Sequence, residues 1–211
     1  MCEQLARDFV QHCAAFPPAD AARRYCLAAA AFLDKGKPEG ALVLVTAAQS
    51  LPVTNLQAQG LAALAHSVLG HHRHAGALAD AYVAAHYGTD RLAATRSMTG
   101  VLCAAGRHAL AADRLYREAS AYYKQPEAQP AAAAAALCEA GDVYQTMGDA
   151  QLSRRAFKKA VKVHNNRAGA VDPACAQRAL RGLARACGDL GQAEQAAELF
   201  LLADLVSHKP V

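Results

Sequence analysis

The sequence predicts an all-α fold, a right-handed α-solenoid of about five helical hairpins that follow one N-terminal helix. Apolar residues make up 54% of the chain but aromatic residues only 6%, so alanine and leucine dominate, which favours closely packed helices. Gly36, Gly70, Gly106, Gly148 and Gly191 recur at intervals of 34, 36, 42 and 43 residues. All eight prolines fall at the boundaries of the predicted helices or in the tail, and none lies in a helix interior, which supports the helical periods.

The first predicted helix covers residues 2–15 and ends before Pro17. Its apolar stripe consists of Leu5, Phe9, Cys13 and Phe16. Segment 1–17 is therefore expected to cap the flank of the first hairpin, with contact to a membrane or a partner as the alternative. Asp20 is expected to cap the helix that follows.

The five hairpins are expected within residues 18–207. Their helix pairs are predicted at 19–34 with 38–50, 54–69 with 73–87, 89–105 with 108–124, 130–147 with 150–165, and 173–189 with 192–206. Pro126 and Pro130 bracket a longer linker, which accounts for the increase in glycine spacing from 36 to 42 residues. Residues 208–211 are expected to form a short tail. All 211 residues are interpreted as one helical-repeat domain.

The fourth hairpin carries the most complete pattern, LCEAGDVYQTMGDAQLSRRAFKKA at residues 137–160. Gly141 and Tyr144 share one face of its first helix, and Ala156 and Phe157 share one face of its second helix. This order of residue types resembles the tetratricopeptide repeat, or TPR. The resemblance implies that the first helix of each pair lines a concave groove that binds protein partners.

The same pattern recurs after the other turn glycines. The small, aromatic and small positions after the last turn glycine hold Ala196, Phe200 and Ala203. After Gly106 the third position holds Glu118, so a shift of one residue to Ala119 is expected there. The recurrence favours an array of repeats over a single helical hairpin.

A second, weaker resemblance covers residues 115–165. The phrase REASAYYKQPEAQPAAAAAALCEAGDVYQTMGD is similar to the way in which the soluble NSF-attachment protein (SNAP) family joins its repeats. This resemblance implies an adaptor in vesicle trafficking that handles SNARE complexes. It is kept as an alternative function within the same fold class.

Sequence motifs for catalysis and for cofactor binding are missing. The chain has no G-x-S-x-G, no H-E-x-x-H and no glycine-rich phosphate-binding loop. His71, His72 and His74 in GHHRHAG are interpreted as a solvated polar turn, with a metal site or a pH-sensitive patch as the alternative. The chain is therefore predicted to be no enzyme and to have no catalytic, cofactor-binding or metal-binding residues.

Cysteine usage and hydropathy favour a cytoplasmic location. Seven cysteines form an odd number without a C-x-x-C pair, which predicts free thiols and no zinc site. No apolar run approaches the ~20 residues that span a bilayer. The first residues do not have the pattern of a signal peptide. Peripheral membrane association stays open.

Charge is concentrated in one part of the chain. Between Ser153 and Cys187 nine Lys and Arg residues stand against one acid, Asp172, so this segment carries +8 within a chain of net charge +4. The predicted groove residues are Arg23, Arg96, Arg178, Arg181 and Arg185, of which the last three share one helical face. Their guanidinium groups are expected to bind an acidic peptide or helix.

Two further surfaces are predicted with less support from the sequence. Arg154, Lys158 and Lys162 form a basic stripe on the second helix of the fourth hairpin. Phe200, Leu202 and Leu205 belong to an apolar segment, LFLLADL, that is wider than one packing stripe and is expected to contact a partner. Nucleic acid is disfavoured as the partner because no aromatic residues are interleaved with the cations.

The preferred function is a non-enzymatic adaptor or scaffold subunit that holds a protein partner in a partly basic groove. A SNAP-like adaptor and a structural subunit of a larger multiprotein complex are the alternatives. Helical repeats specify a binding surface and no particular reaction, so the sequence leaves the partner open.

Overall fold

The structure is a computed structural model that describes residues 2–86, 88–166 and 172–207. Within these residues the chain forms eleven α-helices and no β-strand. They are α1 (Cys2–Cys13), α2 (Pro18–Asp34), α3 (Pro38–Ser50), α4 (Leu56–Val68), α5 (His72–Ala84), α6 (Gly88–Ala104), α7 (His108–Tyr122), α8 (Pro130–Thr146), α9 (Ala150–Asn166), α10 (Pro173–Asp189) and α11 (Ala193–Ser207). The predicted all-α class, with one helix followed by five helical hairpins, is confirmed. The predicted tail at 208–211 lies outside the described residues, as do residues 167–171 of the connection between the fourth and fifth predicted hairpins.

Each hairpin turns at one of the five recurring glycines. Gly36, Gly70, Gly106, Gly148 and Gly191 have φ between 65° and 77°, the left-handed region that glycine adopts without a steric penalty. In the fourth hairpin the amide of Asp149 donates to the carbonyl oxygen of Tyr144 at 3.0 Å, which closes the end of α8. The glycine spacing that predicted the hairpins is thus a backbone requirement of each turn.

Proline and polar side chains set the beginnings of the helices. The first residues of α2, α3, α8 and α10 are Pro18, Pro38, Pro130 and Pro173. Proline is favourable there because the first amide of a helix has no intrahelical acceptor. Asn55 caps α4 by accepting from the Ala58 amide at 3.1 Å. The predicted cap at Asp20 is wrong: α2 begins at Pro18, so Asp20 lies inside its first turn.

The helices form two compact units, each with a core of its own. Unit 1 consists of Met1–Tyr87 and Gly100–Arg107, and unit 2 consists of Gly88–Thr99 and His108–Val211. The core of unit 1 is built mainly from α1 to α4, and that of unit 2 mainly from α7 to α10. None of the described helices is long and apolar enough to cross a membrane.

In unit 1, helix α1 packs mainly on α3. Ala6 and Cys13 are fully buried, and Phe9 packs against the same core. The predicted stripe is wrong at Leu5, which is 62% exposed. The small side chain of Ala6 faces inward instead, since it lets the two helices approach closely.

One position of the repeat carries most of the packing. Nine residues after the turn glycines stand Val45, Ala79, Leu115, Phe157 and Phe200. The first four are at most 1% exposed, whereas Phe200 is 40% exposed. The Phe157 ring lies against the backbones of Gly141 in α8 and Gly182 in α10, where an added Cβ would come within 2.8 and 2.4 Å of the ring. Glycine at both positions allows α8 and α10 to enclose this ring.

The third repeat shows the expected shift of one residue. Ala119 is fully buried in the core of unit 2. Glu118 instead pairs with Arg91, with 3.0 Å between Oε1 and Nε. The packing position has therefore moved by one residue along α7.

Candidate partner-binding site

The predicted groove arginines of unit 2 lie beside acidic residues of the same unit. Arg178 of α10 pairs with Asp142 of α8. Arg181 Nη2 lies 3.0 Å from Asp204 Oδ1 of α11. Arg96 of α6 donates from both Nε and Nη2 to the carboxylate of Glu139 in α8. Carboxylates within the chain thus already neutralise three of the predicted arginines.

These ion pairs stabilise the charged guanidinium groups. The hydrogen bond to Glu139 raises the pKa of Arg96. Burial by itself would lower the pKa of Arg178, but the hydrogen bond and the charge of Asp142 outweigh it, so that pKa is raised as well. An outside carboxylate would therefore have to share these cations with the carboxylates that already hold them.

Arg185 is the remaining arginine on this face of α10. Its side chain is exposed, and in the part of the chain that the structure describes no carboxylate pairs with it. With Arg178 and Arg181 it lines a surface hollow of about 280 Å³ whose wall also includes Asp142. The surface formed by these three arginines, the α10 arginine face, is therefore of mixed charge.

Arg23 belongs to unit 1. It is exposed on α2 and lines a shallow hollow of about 210 Å³ together with Asn55 and Gln57. No acidic partner of Arg23 occurs among residues 2–86, 88–166 and 172–207. The structure brings Arg96 and Arg178 together around α8, and Arg23 is a separate feature of the other unit.

Helix α9 carries the largest group of basic side chains. The α9 basic surface consists of Arg154, Arg155, Lys158, Lys159 and Lys162. The helix itself contains no Asp or Glu, and none of the five cations pairs with a carboxylate elsewhere in the described segments. Arg154 donates to the amide oxygen of Gln192 at 3.0 Å. This surface contains the predicted stripe of Arg154, Lys158 and Lys162 and, in the described part of unit 2, is a larger group of unpaired positive charge than the single Arg185 of α10.

Tyr116 of α7 adds an aromatic ring to the α9 basic surface. The guanidinium carbon of Arg155 lies 5.3 Å from the ring centroid, and Lys159 Nζ lies 5.2 Å from it, both within cation–π range. Ring and cations border a surface hollow of about 600 Å³ that extends to Asn165 and Asn166. The inference that no aromatic residue accompanies the cations is therefore wrong, because the ring comes from another helix.

The last described helix exposes most of its large apolar side chains. Exposed fractions are 67% for Leu201, 64% for Leu205, 49% for Leu202 and 40% for Phe200. Ala203 is fully buried and Ala196 nearly so. The helix therefore packs through its alanines and leaves its larger side chains outward.

A histidine cluster forms near the second turn. His66 Nδ1 of α4 lies 3.2 Å from His71 Nδ1, and the His66 and His74 ring centroids are 4.4 Å apart. Burial, followed by the charges of His74 and His71, lowers the pKa of His66. Sequence analysis missed His66 because it lies outside the GHHRHAG turn. In the described segments no three His, Cys, Asp or Glu side chains are arranged to hold a metal ion.

Solved structures share this arrangement of helices. A Podosopora anserina protein described as a kinesin light chain with nearly identical TPR-like repeats has 20% identity and a TM-score of 0.68, covering 90% of this chain and 96% of that chain. BtubC from P. vanneervenii has 15% identity and a TM-score of 0.68, covering 99% and 90%. MamA from Desulfovibrio magneticus RS-1 has 19% identity and a TM-score of 0.61, covering 89% and 96%. No protein-family model matches the sequence, and no curated protein does.

At these identities the likeness concerns the fold. The compared chains match over nearly their whole length, and the five glycine turns and the Phe157 packing position follow the repeat pattern. The resemblance to the tetratricopeptide repeat that the sequence predicted is therefore confirmed. The chain has a TPR-like helical-repeat fold.

Proposed function

We propose that the chain is a non-enzymatic adaptor or scaffold subunit that binds an acidic peptide or helix. Proteins with TPR-like folds are typically interaction modules, because repeated hairpins present an extended surface and no enclosed reaction site. The observation that carries the proposal is the α9 basic surface, whose five cations are not paired with any carboxylate of the described chain.

The α9 basic surface fits an acidic helix better than the α10 arginine face does. Lys158 and Lys162 lie one turn apart, so carboxylates one turn apart on a partner helix would match their spacing. Tyr116 and the alkyl stems of the lysines supply apolar contact around the charges. On α10, by contrast, Arg178 and Arg181 are already paired.

The other predicted groove residues have a supporting part in this proposal. Arg185 is the member of the α10 arginine face that offers a guanidinium without a carboxylate partner in the described segments. The Arg96 guanidinium already donates to Glu139, so an acid of a partner would have to share this guanidinium with Glu139. Arg23 is proposed as a contact on unit 1. Lys158 and Lys162, together with Arg154, are proposed as the principal contacts.

Neutralising three lysines of the α9 basic surface is expected to weaken binding of an acidic helical peptide about tenfold. Each exposed ion pair contributes ~0.2–1 kcal/mol. The loss of three pairs therefore approaches the ~1.4 kcal/mol that corresponds to a tenfold change in affinity. The measurement is a fluorescence anisotropy titration of a labelled Glu-rich helical peptide with the wild type and with Lys158/Lys159/Lys162→Gln. Raising the salt concentration should weaken peptide binding by the wild type more than peptide binding by the variant, because salt screens exposed ion pairs.

The matched control is Lys35/Lys37/Lys124→Gln, which removes the same charge from exposed positions outside α9. It should bind the peptide as the wild type does. Equal weakening by both variants would show that net charge alone attracts the peptide, against the proposal. The same titration is made with a single-stranded oligonucleotide and with phosphatidylserine vesicles. If either binds more tightly than the acidic peptide, the proposal of a protein partner is overturned.

A structural subunit of a larger complex is the second candidate, favoured by the exposed apolar side chains of α11. Phe200, Leu202 and Leu205 would then contact another subunit, since exposed apolar patches of this kind commonly mark interfaces. The SNAP-like alternative would place the α9 basic surface on an acidic helical bundle in vesicle trafficking. We propose the cytoplasm as the location, supported by seven free cysteines.

A further inference from the structure

Cys138 of α8 and Cys175 of α10 form a thiol pair between neighbouring helices of unit 2. Cys138 is fully buried, and Cys175 is partly buried and packs against the same core. The two helices contact each other directly. The ion pair between Asp142 and Arg178 fixes their register, because each of its members lies one turn beyond one of the cysteines.

Cys175 has the environment of a reactive thiol. It is the third residue of α10, after Pro173, so it lies at the positive end of the helix dipole. The hydrogen bond from Cys138 and the charges of Arg178 and Arg96 lower the pKa of Cys175 below that of an ordinary cysteine, against the opposing effects of burial and of Asp172. The thiolate form of this side chain is therefore more populated near neutral pH than that of an ordinary cysteine.

Cys138 has the complementary properties. Its hydrogen bond to Cys175 and its burial raise the pKa of Cys138, so it stays protonated beside the thiolate. The pair thus combines an accessible nucleophile with a protected second thiol. Burial raises the pKa of Cys26 and of Cys103 without such a partner, so those two thiols are expected to be inert.

We propose that Cys175 and Cys138 are an oxidisable dithiol that hydrogen peroxide converts into a disulfide between α8 and α10. The Cys175 thiolate attacks one peroxide oxygen, the O–O bond breaks, and protonation of the leaving hydroxide gives water and a sulfenic acid. The Cys138 thiol then attacks the sulfenic sulfur, the S–O bond breaks, and a second water leaves as the S–S bond forms. The peroxide gains the two electrons that the two thiols lose.

The bond would link the fourth hairpin to the fifth beside Arg178 and Arg96. Removing the Cys175 thiolate takes away the negative charge that these arginines face, and the covalent link restricts the movement of α10 against α8. The inference is independent of the proposed function, because it concerns the chemistry of the two thiols and requires no partner.

The test begins with alkylation of the reduced full chain at pH 7 by limiting iodoacetamide, read by peptide mass spectrometry. Cys175 should react about tenfold faster than Cys103, which is also partly exposed, and its rate should rise with pH as the thiolate forms, at a lower pH than that of Cys103. Equal rates for Cys175 and Cys103 would overturn the assignment of Cys175 as the nucleophile.

The second arm treats the reduced chain with hydrogen peroxide and then blocks the remaining thiols. The expected product is a Cys138–Cys175 linked peptide that is lighter by two hydrogens and is restored by a reductant. In Cys138→Ala the sulfenic acid on Cys175 should persist and be trapped by dimedone. In Cys175→Ser no disulfide should form at Cys138. Cys103→Ser is the control and should behave as the wild type.

Alanine is chosen for Cys138 because the surrounding core is rich in alanine, and circular dichroism verifies that each variant is folded. The disulfide linkage is tested on the wild-type chain, so that result does not depend on whether a variant folds. Oxidation of the wild type that joins other cysteines, or that stops at the sulfenic acid of Cys175, would overturn the proposed dithiol.

Discussion

Replacing Phe157 with alanine is expected to lower the free energy of unfolding of unit 2 by about 3–5 kcal/mol. The ring is fully buried and contacts the backbones of both Gly141 and Gly182, so its removal leaves a cavity between α8, α9 and α10. Neither glycine has a side chain that could fill the space. Urea denaturation followed by far-ultraviolet circular dichroism measures the loss.

Phe200→Ala is the matched control for this prediction, because Phe200 occupies the same repeat position in the fifth hairpin. Its side chain is 40% exposed, so the expected loss is below about 1 kcal/mol. Losses of similar size in the two variants would contradict the account of Phe157 as the central packing residue of unit 2.

Two glycines of α10 are expected to respond to alanine with opposite signs. At Gly182 an added Cβ would lie 2.4 Å from the Phe157 ring, which should cost about 1–3 kcal/mol even though alanine favours the helix. At Gly188 nothing lies within 4 Å of the added Cβ, so the helix propensity of alanine should stabilise the protein by about 0.5–1 kcal/mol. Thermal and urea denaturation of both variants measure the difference.

The clash at Gly182 can be isolated by a double-mutant cycle. In a Phe157→Ala background the ring is absent, so Gly182→Ala should lose its cost. A destabilisation by Gly182→Ala that persists in that background would show that the ring is not its cause. Destabilisation by both glycine substitutions in the wild-type background would likewise contradict the packing account.

The hairpins could be predicted because their signals are local. The sequence predicts the fourth pair at 130–147 and 150–165, and the structure has it at Pro130–Thr146 and Ala150–Asn166. A turn glycine and a proline at the first helical position act on the backbone next to them, so no knowledge of the neighbours is required. The orientation of α1 depends on a non-local contact, because the face that α1 turns inward is set by how closely α3 approaches. The predicted stripe is therefore wrong at Leu5.

The charge pairing could not be inferred from basic residues alone. Arg178 meets Asp142 across 36 residues, and Arg96 meets Glu139 across 43, which is close to one repeat in each case. An acid about one repeat away in sequence is the signal that identifies both pairs. Tyr116, which lies 39 residues before Arg155, would have been found in the same way.

The central claim is that the α9 basic surface binds an acidic protein partner. The most direct measurement is affinity capture from cell lysate followed by carbodiimide cross-linking, which joins carboxylates to nearby lysines, with the linked peptides identified by mass spectrometry. The account predicts that acidic peptides of a partner become linked to Lys158, Lys159 or Lys162. It also predicts that the partner is lost in Arg154/Lys158/Lys162→Glu and retained in Lys35/Lys37/Lys124→Glu. A partner retained by the α9 variant and lost only in Arg178/Arg181/Arg185→Glu would contradict the claim and assign the binding to the α10 arginine face.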